Sequence, residues 1–516
     1  MRRIGIDVGG TNTDAVLIED GKVIRAVKAP TSEDVTTGIL ESLKSLGSTG
    51  ALKDKKVDGV MIGTTHFINA VVQRRHLTKV GALRLGMPAT STLPPFCDWP
   101  EDLAELVRGG VWMVEGGHEY DGRLFMPLDE AAVTRAAGEM MEKGLKSVAI
   151  SSIFSPLDSS HERRAAELVT KVMPGAVITC SSDLGRIGLL ERENAGLLNA
   201  ALADLARETI AAFEKSIKDS GIAAPLFITQ NDGTVAEAGQ ARRLPVYSFA
   251  SGATNSMRGA AYLSGLQDAM VIDVGGTTTD VGQLKNGFPR EANSVVKVGG
   301  VRTLFRMPDL LSIGLGGGSH VMLESDKGPL KVGPVSVGYR LLKDGIAFGG
   351  KQLTTTDVAI ASGVLSLGDK SKVAHLDAAT CKKVFAEAAR LAEEAIDRMK
   401  TEAGDVKLIA VGGGAFLIPD KLPGVSEVIH VEHGDCANAV GAAIAQVSGE
   451  CDQIFKDLTR VDAIAAAQGI ANDRAVAAGA ARASLSTIES EDMPLAYLPG
   501  NSVRVRVRVV GDVAAT

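Results

Sequence analysis

DVGGTNTD at residues 7–14 and DVGGTTTD at residues 273–280 are one element written twice, with seven of eight positions identical. Each copy follows an apolar run, Ile4-Gly5-Ile6 in one and Met270-Val271-Ile272 in the other. Each then reaches a turn dipeptide at the same offset, Asp20-Gly21 and Asn286-Gly287. Asp-Gly and Asn-Gly are strong hairpin signals because both central positions of a type I′ turn need positive φ. Both copies therefore read as strand, glycine turn, strand, hairpin, strand. A spacing of 266 residues is too long for a solenoid repeat and points to two related α/β lobes.

The chemistry this element suits is phosphate binding. Paired glycines, Gly9-Gly10 and Gly275-Gly276, let backbone N–H groups approach an anion, and Thr11, Thr13, Thr277, Thr278 and Thr279 add hydroxyl donors. The leading carboxylates Asp7 and Asp273 would repel phosphate directly, so they imply an intervening cation. Mg2+ takes one or two carboxylates together with phosphate oxygens and water. A tight Asx turn is the bland reading of one copy alone, and two copies on equivalent elements weaken it.

Strand and helix signals alternate along the rest of the chain, which favours an α/β fold with largely covered sheets. AVGGGAF (410–416) ends a strand on Gly412, Gly413 and Gly414, as expected where backbone lies against a base or ribose; a purely structural turn is the alternative. SIGLGGGS (312–319), with Gly316 and Gly317, reads the same way. Neither matches a P-loop, which needs a Lys after its last Gly. CANAVGAAIAQVSG (436–449) is a small-residue helix suited to close packing, with no chemistry required of it. From Ser502 the chain alternates strictly, a strand exposed on one face. Its Arg504, Arg506 and Arg508 would form either a docking edge or an ordinary solvated face.

Composition narrows the classes. The chain has 516 residues, 45% hydrophobic and 23% charged, enough to bury sizeable cores in two or three domains. A net charge of −7 without a long basic run argues against nucleic acid or anionic membrane as the main partner. The five cysteines, Cys97, Cys180, Cys381, Cys436 and Cys451, include no C-x-x-C pair, so a reducing cytoplasm fits better than a disulfide framework. No signal peptide or membrane span is expected. The 58 glycines beside 4% aromatics suit tight turns and backbone approach to a small ligand.

The repeat, the AVGGGAF turn and the CANAVGAAIA helix together resemble the actin-like ATPase superfamily. IGIDVGGTNTDAVLI, GTTHFINAVVQRR, FSPLDSSHERR, LLERENAGLLNA, TQNDGT, GGVRTLFRMPDLLSIGLGGGS, VGPVSVGYRL, TTTDVAIASG and YLPGN are similar to one branch of it, the hydantoinase A/5-oxoprolinase family. The likeness runs over essentially the whole chain, with two departures: GTNTD where GTFTD is common, and SGATNS where SGPTNS is common. It implies a two-lobed actin-like (ribonuclease H-like) fold. It also implies three segments: an N-terminal domain over 1–182, a core domain over 183–460 and a C-terminal extension over 461–516.

The implied activity is ATP- and Mg2+-dependent hydrolysis of a cyclic amide (a hydantoin, 5-oxoproline or related lactam) through phosphorylation of its carbonyl oxygen. The implied partner is a B-type hydantoinase subunit or another protein, and a homo-oligomer is compatible. A carbonyl-phosphorylating subunit of an acetone carboxylase-like complex and a non-catalytic nucleotide-binding protein are the competing readings. On the leading one, Asp7 and Asp273 hold Mg2+, both glycine pairs hold the phosphates, and Gly412–Gly414 meet the nucleoside. His66 and Arg192, from shared motifs, are substrate or subunit-contact candidates, with packing as the alternative. Asp14 and Asp280 read equally as site organisers or helix caps. His430 and His433 have metal-like spacing at what reads as a strand end.

Overall fold

The duplicated octapeptide is also the duplicated core of the three-dimensional structure. A computed structural model describes all residues except 10–11, 31–34, 49–51, 53–55, 185–186, 293–294, 325–328, 496–500 and 515–516. Gly10, Thr11 and most of the YLPGN motif thus lie outside the described residues.

In the first lobe, strand Arg2–Val8 runs antiparallel to Asn12–Glu19, with Asp7 opposite Asp14. It runs parallel to Gly59–Thr64, with Asp7 opposite Gly63. In the second lobe, Met270–Val274 runs antiparallel to Thr279–Lys285, with Asp273 opposite Asp280, and parallel to Val406–Val411. Both turns close with the same bond. Gly9 N–H donates to Asn12 O at 3.1 Å and Gly275 N–H to Thr278 O at 2.9 Å. The fold is the expected two-lobed α/β arrangement, with one copy of the hairpin in each lobe.

Each strand pair buries its apolar side under helices. Ile4, Ile6, Ala15 and Leu17 pack with Ile210 and Phe213, and Met270, Ile272 and Val281 pack with Val384, Ala388 and Ala392. Two helices, Ser251–Ser264 and Ala437–Ile444, lie at the join. The first touches strands of both lobes; the second lies on Arg2–Val8 and Asn12–Glu19. They cross backbone to backbone, since a Cβ on Gly259 would enter Ala437 O and one on Gly441 would enter Asn255 O. Small residues permit that approach.

The sheets cut the chain differently from the sequence segments. The first sheet has nine strands drawn from three stretches: residues 2–64, Leu226–Glu237 and the C-terminal Gln446–Phe455, Ser486–Pro494 and Val503–Gly511. A separate parallel sheet of four strands, from Val80–Met87 to Val177–Cys180, is inserted between them. Strands Ser486–Pro494 and Val503–Gly511 thus extend the first lobe's sheet.

The C-terminal strand Val503–Gly511 is not a docking edge. It is hydrogen-bonded on both sides, between Gln446–Phe455 and Ser486–Pro494. Val505, Val507 and Val509 pack on Ala463, Ala467 and Ala471 of helix Arg460–Ala477. Its arginines are spent on carboxylates: Arg504 on Asp452 (2.6 Å), Arg506 on Glu291 (2.7 Å) and Arg508 on Asp232 (3.3 Å). Period-two alternation announces a two-sided strand, and here the polar side faces an ion-pair network instead of water. Among the described residues no helix is long and apolar enough to cross a membrane.

Candidate active site: two strand aspartates facing one connecting helix

Asp7 and Asp273 stand at the carboxyl ends of their strands, and adjacent residues of one helix reach them. Asn255 Nδ2 donates to Asp7 Oδ1 at 3.4 Å, and Ser256, the next residue, lies close enough to Asp273 to favour its charged form. The two leading carboxylates therefore converge on helix Ser251–Ser264, and each feels charge from the other lobe. Burial first, then the charge of Asp14, and in smaller part that of Asp273, push Asp7 up to about 7; the Asn255 and Asn438 amides oppose this. Burial leads again in pushing Asp273 up to about 6, with Asp280 and Asp14 adding to it and Ser256 and Lys28 opposing it. Asp280 is raised as well, mainly by burial.

Room for these carboxylates is made by missing side chains. A Cβ on Gly63 would stand 2.5 Å from Asp7 Oδ1, and one on Gly412 would enter Asp273 Oδ1. Gly412, at φ +89°, donates its N–H to Gly434 O at 2.9 Å. Gly414 N–H donates to Val274 O at 2.7 Å, which docks the AVGGGAF turn onto the second hairpin, while a Cβ on Gly413 would meet open space. Thr277 and Thr278 are exposed on the same hairpin.

Other candidates take supporting places. Thr13 is fully buried, its Oγ1 within 2.6 Å of where a Cβ of Gly38 would stand, so its hydroxyl does not face a ligand. The matching Thr279 is also buried and donates to Leu315 O at 2.7 Å. The sequence reading overlooked that alternation sends these two threonines inward. Gly316 N–H goes to Ser319 Oγ at 2.9 Å and Gly317 N–H to Gly275 O at 3.0 Å. Gly316 N–H thus closes the segment's own turn, and Gly317 N–H braces the second hairpin.

Arg192 is a stitching residue, not a substrate contact. It is fully buried, donates to Ser181 Oγ (2.9 Å), Ile187 O (2.7 Å) and Ser152 O, and burial lowers it to about 10. Its neighbour Glu193 forms a buried ion pair with Arg84, backed by Ser151 at 2.6 Å. His66 opens the helix His66–Val72 three residues beyond Gly63, half-buried, with its pKa lowered by burial and by His76. His430 ends strand Val425–His430, and His433, at φ +60°, precedes the Gly434 that supports Gly412. Among the described residues no three His, Cys, Asp or Glu side chains cluster as a metal site.

Three residues that the sequence reading passed over belong to the site. Asn438 Nδ2, from the small-residue helix Ala437–Ile444, donates to both Asp7 Oδ2 and Asp14 Oδ2 at 3.0 Å. Lys28 pairs with Asp14 at 2.9 Å and donates to Asp435 O at 2.8 Å. Asn255 is fully buried, and its Oδ1 has no hydrogen-bond partner. The available signal was an asparagine, a poor helix former, inside each of two Ala/Gly-rich helices. A cavity of about 580 Å³, lined by Asp183, Gln230, Tyr247, Arg306 and Gln453 among others, has no described residue of either hairpin in its wall.

The site is an all-oxygen donor set with an excess of negative charge. Four carboxylates influence one another, and Lys28 is the cation placed among them. Such donors suit a hard divalent cation that keeps its own waters, and the buried, partnerless Asn255 Oδ1 leaves one acceptor that such a water could satisfy.

Comparison with known proteins agrees with this architecture. Residues 3–173 match the hydantoinase/oxoprolinase N-terminal region, and residues 192–406 match the hydantoinase/oxoprolinase domain. The caprolactamase subunit alpha of Pseudomonas jessenii is 28% identical over 404 residues, 71% of this chain and 55% of that protein. The acetophenone carboxylase gamma subunit of Aromatoleum aromaticum is 24% identical, over 71% of this chain and 54% of its own length. The chain thus spans about half the length of these curated relatives. The crystal structure of the ATP-dependent caprolactamase from Pseudomonas jessenii superposes with a TM-score of 0.79 at 21% identity, covering 99% of this chain and 88% of that one. The fold is shared with that enzyme, and the chain belongs to the hydantoinase/oxoprolinase family.

Proposed function

We propose that this chain uses Mg-ATP to phosphorylate the carbonyl oxygen of a cyclic amide, as the ATP-consuming component of a ring-opening enzyme. The observation that carries this reading is the convergence of Asp7 and Asp273, from matching hairpins, on one helix, Ser251–Ser264, close enough for the charge of Asp273 to act on Asp7. A phosphate chain between two such hairpins would meet N–H donors and the Thr277 and Thr278 hydroxyls, with Asp7 and Asp273 holding Mg2+. Bound Mg2+ would neutralise phosphate oxygens as charge shifts toward ADP. Gly413, open to solvent, is placed to lie against the nucleoside.

Coupling to ATP suits the substrate class, because a five-membered lactam is a poor electrophile with a poor leaving group. Transfer forms an O–P bond at the carbonyl oxygen and releases ADP. Water then adds to the activated carbon, the ring nitrogen leaves with a proton, and a second water hydrolyses the resulting acyl phosphate to carboxylate and phosphate. Positioning and charge stabilisation account for such catalysis. The named relatives are subunits, which supports a second protein, of the B type, receiving the activated intermediate before bulk water does. The charge balance and the reduced cysteines suit a cytoplasmic setting.

The test is ADP release by the purified chain, alone and with its partner, against hydantoin, 5-oxoproline and larger lactams. A cyclic amide that stimulates ADP release supports the reading, and none doing so overturns it. The likeness to an acetophenone carboxylase subunit favours a second reading, phosphorylation of a ketone. Bicarbonate-dependent consumption of a ketone would establish that reading instead.

A further inference from the structure

Asp7 is gripped from two sides by amides on two different helices. Asn438 spends both N–H bonds of its Nδ2 on carboxylates, one on Asp7 Oδ2 and one on Asp14 Oδ2, each at 3.0 Å. Its Oδ1 accepts Ala439 N–H at 2.8 Å, which fixes which end of the amide faces the aspartates. On the other side Asn255 Nδ2 is shared between Asp7 Oδ1 at 3.4 Å and Thr229 Oγ1 at 3.0 Å. Asp7 has little freedom otherwise. It is 4% exposed, and a Cβ on Gly63 would collide with both Asn255 Nδ2 and Asp7 Oδ1.

The two arms of this grip are rigidly related. Helices Ser251–Ser264 and Ala437–Ile444 touch through Gly259 and Gly441, where any side chain would enter the partner's backbone. Asn255 and Asn438 therefore keep a fixed separation. Any change in how the helices cross would turn the Asp7 carboxylate with them.

We propose that Asn438 and Asn255 form an amide clamp that positions the Asp7 and Asp14 carboxylates for the Mg-nucleotide, with Asn438 the member that ties the pair together. An amide suits this task because it donates two hydrogen bonds without a charge of its own, so it orders two carboxylates without competing for the cation. Lys28 completes the arrangement from the far side of Asp14 and also holds Asp435 O, at the start of the helix carrying Asn438. The second hairpin has no equivalent amide bridge between Asp273 and Asp280 among the described hydrogen bonds; Asp280 is held by Ser312 instead. The inference rests on the functional reading above for the identity of the ligand, not for the geometry.

Asn438→Ala and the isosteric Asn438→Asp test it in the full chain, and Asn438 is half-buried, so both variants are expected to fold. With a cyclic amide that stimulates turnover, kcat should fall about 100-fold in each while KM for the amide stays within about 2-fold. An unchanged kcat, or a loss matched by a collapse of the melting temperature in both variants, would overturn the clamp. The second readout needs no substrate. Calorimetric titration of ADP with and without Mg2+ gives the Mg-dependent gain in affinity, which should shrink about tenfold in Asn438→Ala while Mg-free affinity is unchanged. A wild-type gain preserved in the variant contradicts the clamp even if no cyclic amide is ever turned over. Absence of amide-stimulated turnover with a reduced gain sinks the substrate assignment and leaves the clamp standing.

Discussion

The first and second hairpins share sequence, strand register and turn hydrogen bond, yet they hold their carboxylates differently. Asp7 is 4% exposed and fixed by two asparagine amides, and its partner Asp14 is neutralised by Lys28. Asp273 is half-buried, has no amide on it among the described hydrogen bonds, and its partner Asp280 is met by Ser312. A duplicated element thus conserves the backbone that presents an acid and varies the side chains that orient it. The first hairpin buries its leading acid between two amides, and the second leaves Asp273 half-buried, with Thr277 and Thr278 exposed on the same turn.

The most severe way to break this comparison is to remove either leading charge. Asp7→Asn and Asp273→Asn should each cut turnover by about 10³-fold or more while the fold survives, as expected for loss of a metal-facing carboxylate. Steady-state ADP formation measures this, and a near-wild-type rate in either variant would remove that aspartate from the site.

Glycine substitutions sharpen the contrast at lower cost. Gly63→Ala crowds Asp7 without backbone strain and should lower kcat about 100-fold with a small change in melting temperature. Gly412→Ala both crowds Asp273 and forces a side chain to φ +89°, so it should lose activity and about 1–3 kcal/mol of stability. Parallel kinetics and thermal melts decide whether the two halves differ in this way.

Smaller effects come from the partners of the second aspartates. Lys28→Met leaves Asp14 without its ion pair and should lower kcat about tenfold, whereas Ser312→Ala removes one hydroxyl from Asp280 and should cost only about 2- to 3-fold. Equal losses would erase the proposed asymmetry.

The mildest expectation concerns pH. Asp7, at about 7, and Asp273, at about 6, both sit above the ordinary carboxylate value, so between about pH 4 and 7 the folded protein holds protons that the unfolded chain has released. Their contribution to stability therefore falls as pH rises through that window and stays low above it. The nucleotide-free protein should lose a few degrees of melting temperature at pH 8 relative to Asp7→Asn measured the same way, and the difference should vanish near pH 5. Mg-ADP, which favours the ionised carboxylates, should narrow the gap at pH 8.

Much of this site is legible because the hairpins are local. A strand, a glycine turn and a returning strand within eight residues leave the register no choice, so Asp7 opposite Asp14 and Asp273 opposite Asp280 follow from the letters. Thr13 shows where locality stops helping. Alternation within the same hairpin sends it inward, yet hydroxyl chemistry alone places it with the other threonines. Arg192, for which packing stood as the alternative, and Arg508 are hard to place for the opposite reason, since a charged side chain in a motif or on an alternating strand looks outward until distant carbonyls and carboxylates close over it. Asn438 meets Asp7 across 431 positions of chain, and only the crossing of two helices brings them together.

The central claim is that the two hairpins grip one Mg-nucleotide between them. Calorimetric titration of a non-hydrolysable ATP analogue with Mg2+ into the wild type, Asp7→Asn, Asp273→Asn and the double variant tests it most directly. The account predicts one nucleotide per chain, an affinity loss in each single variant, and a double loss smaller than the sum because both carboxylates serve one ion. Two nucleotides per chain, or wild-type affinity in either single variant, would contradict it.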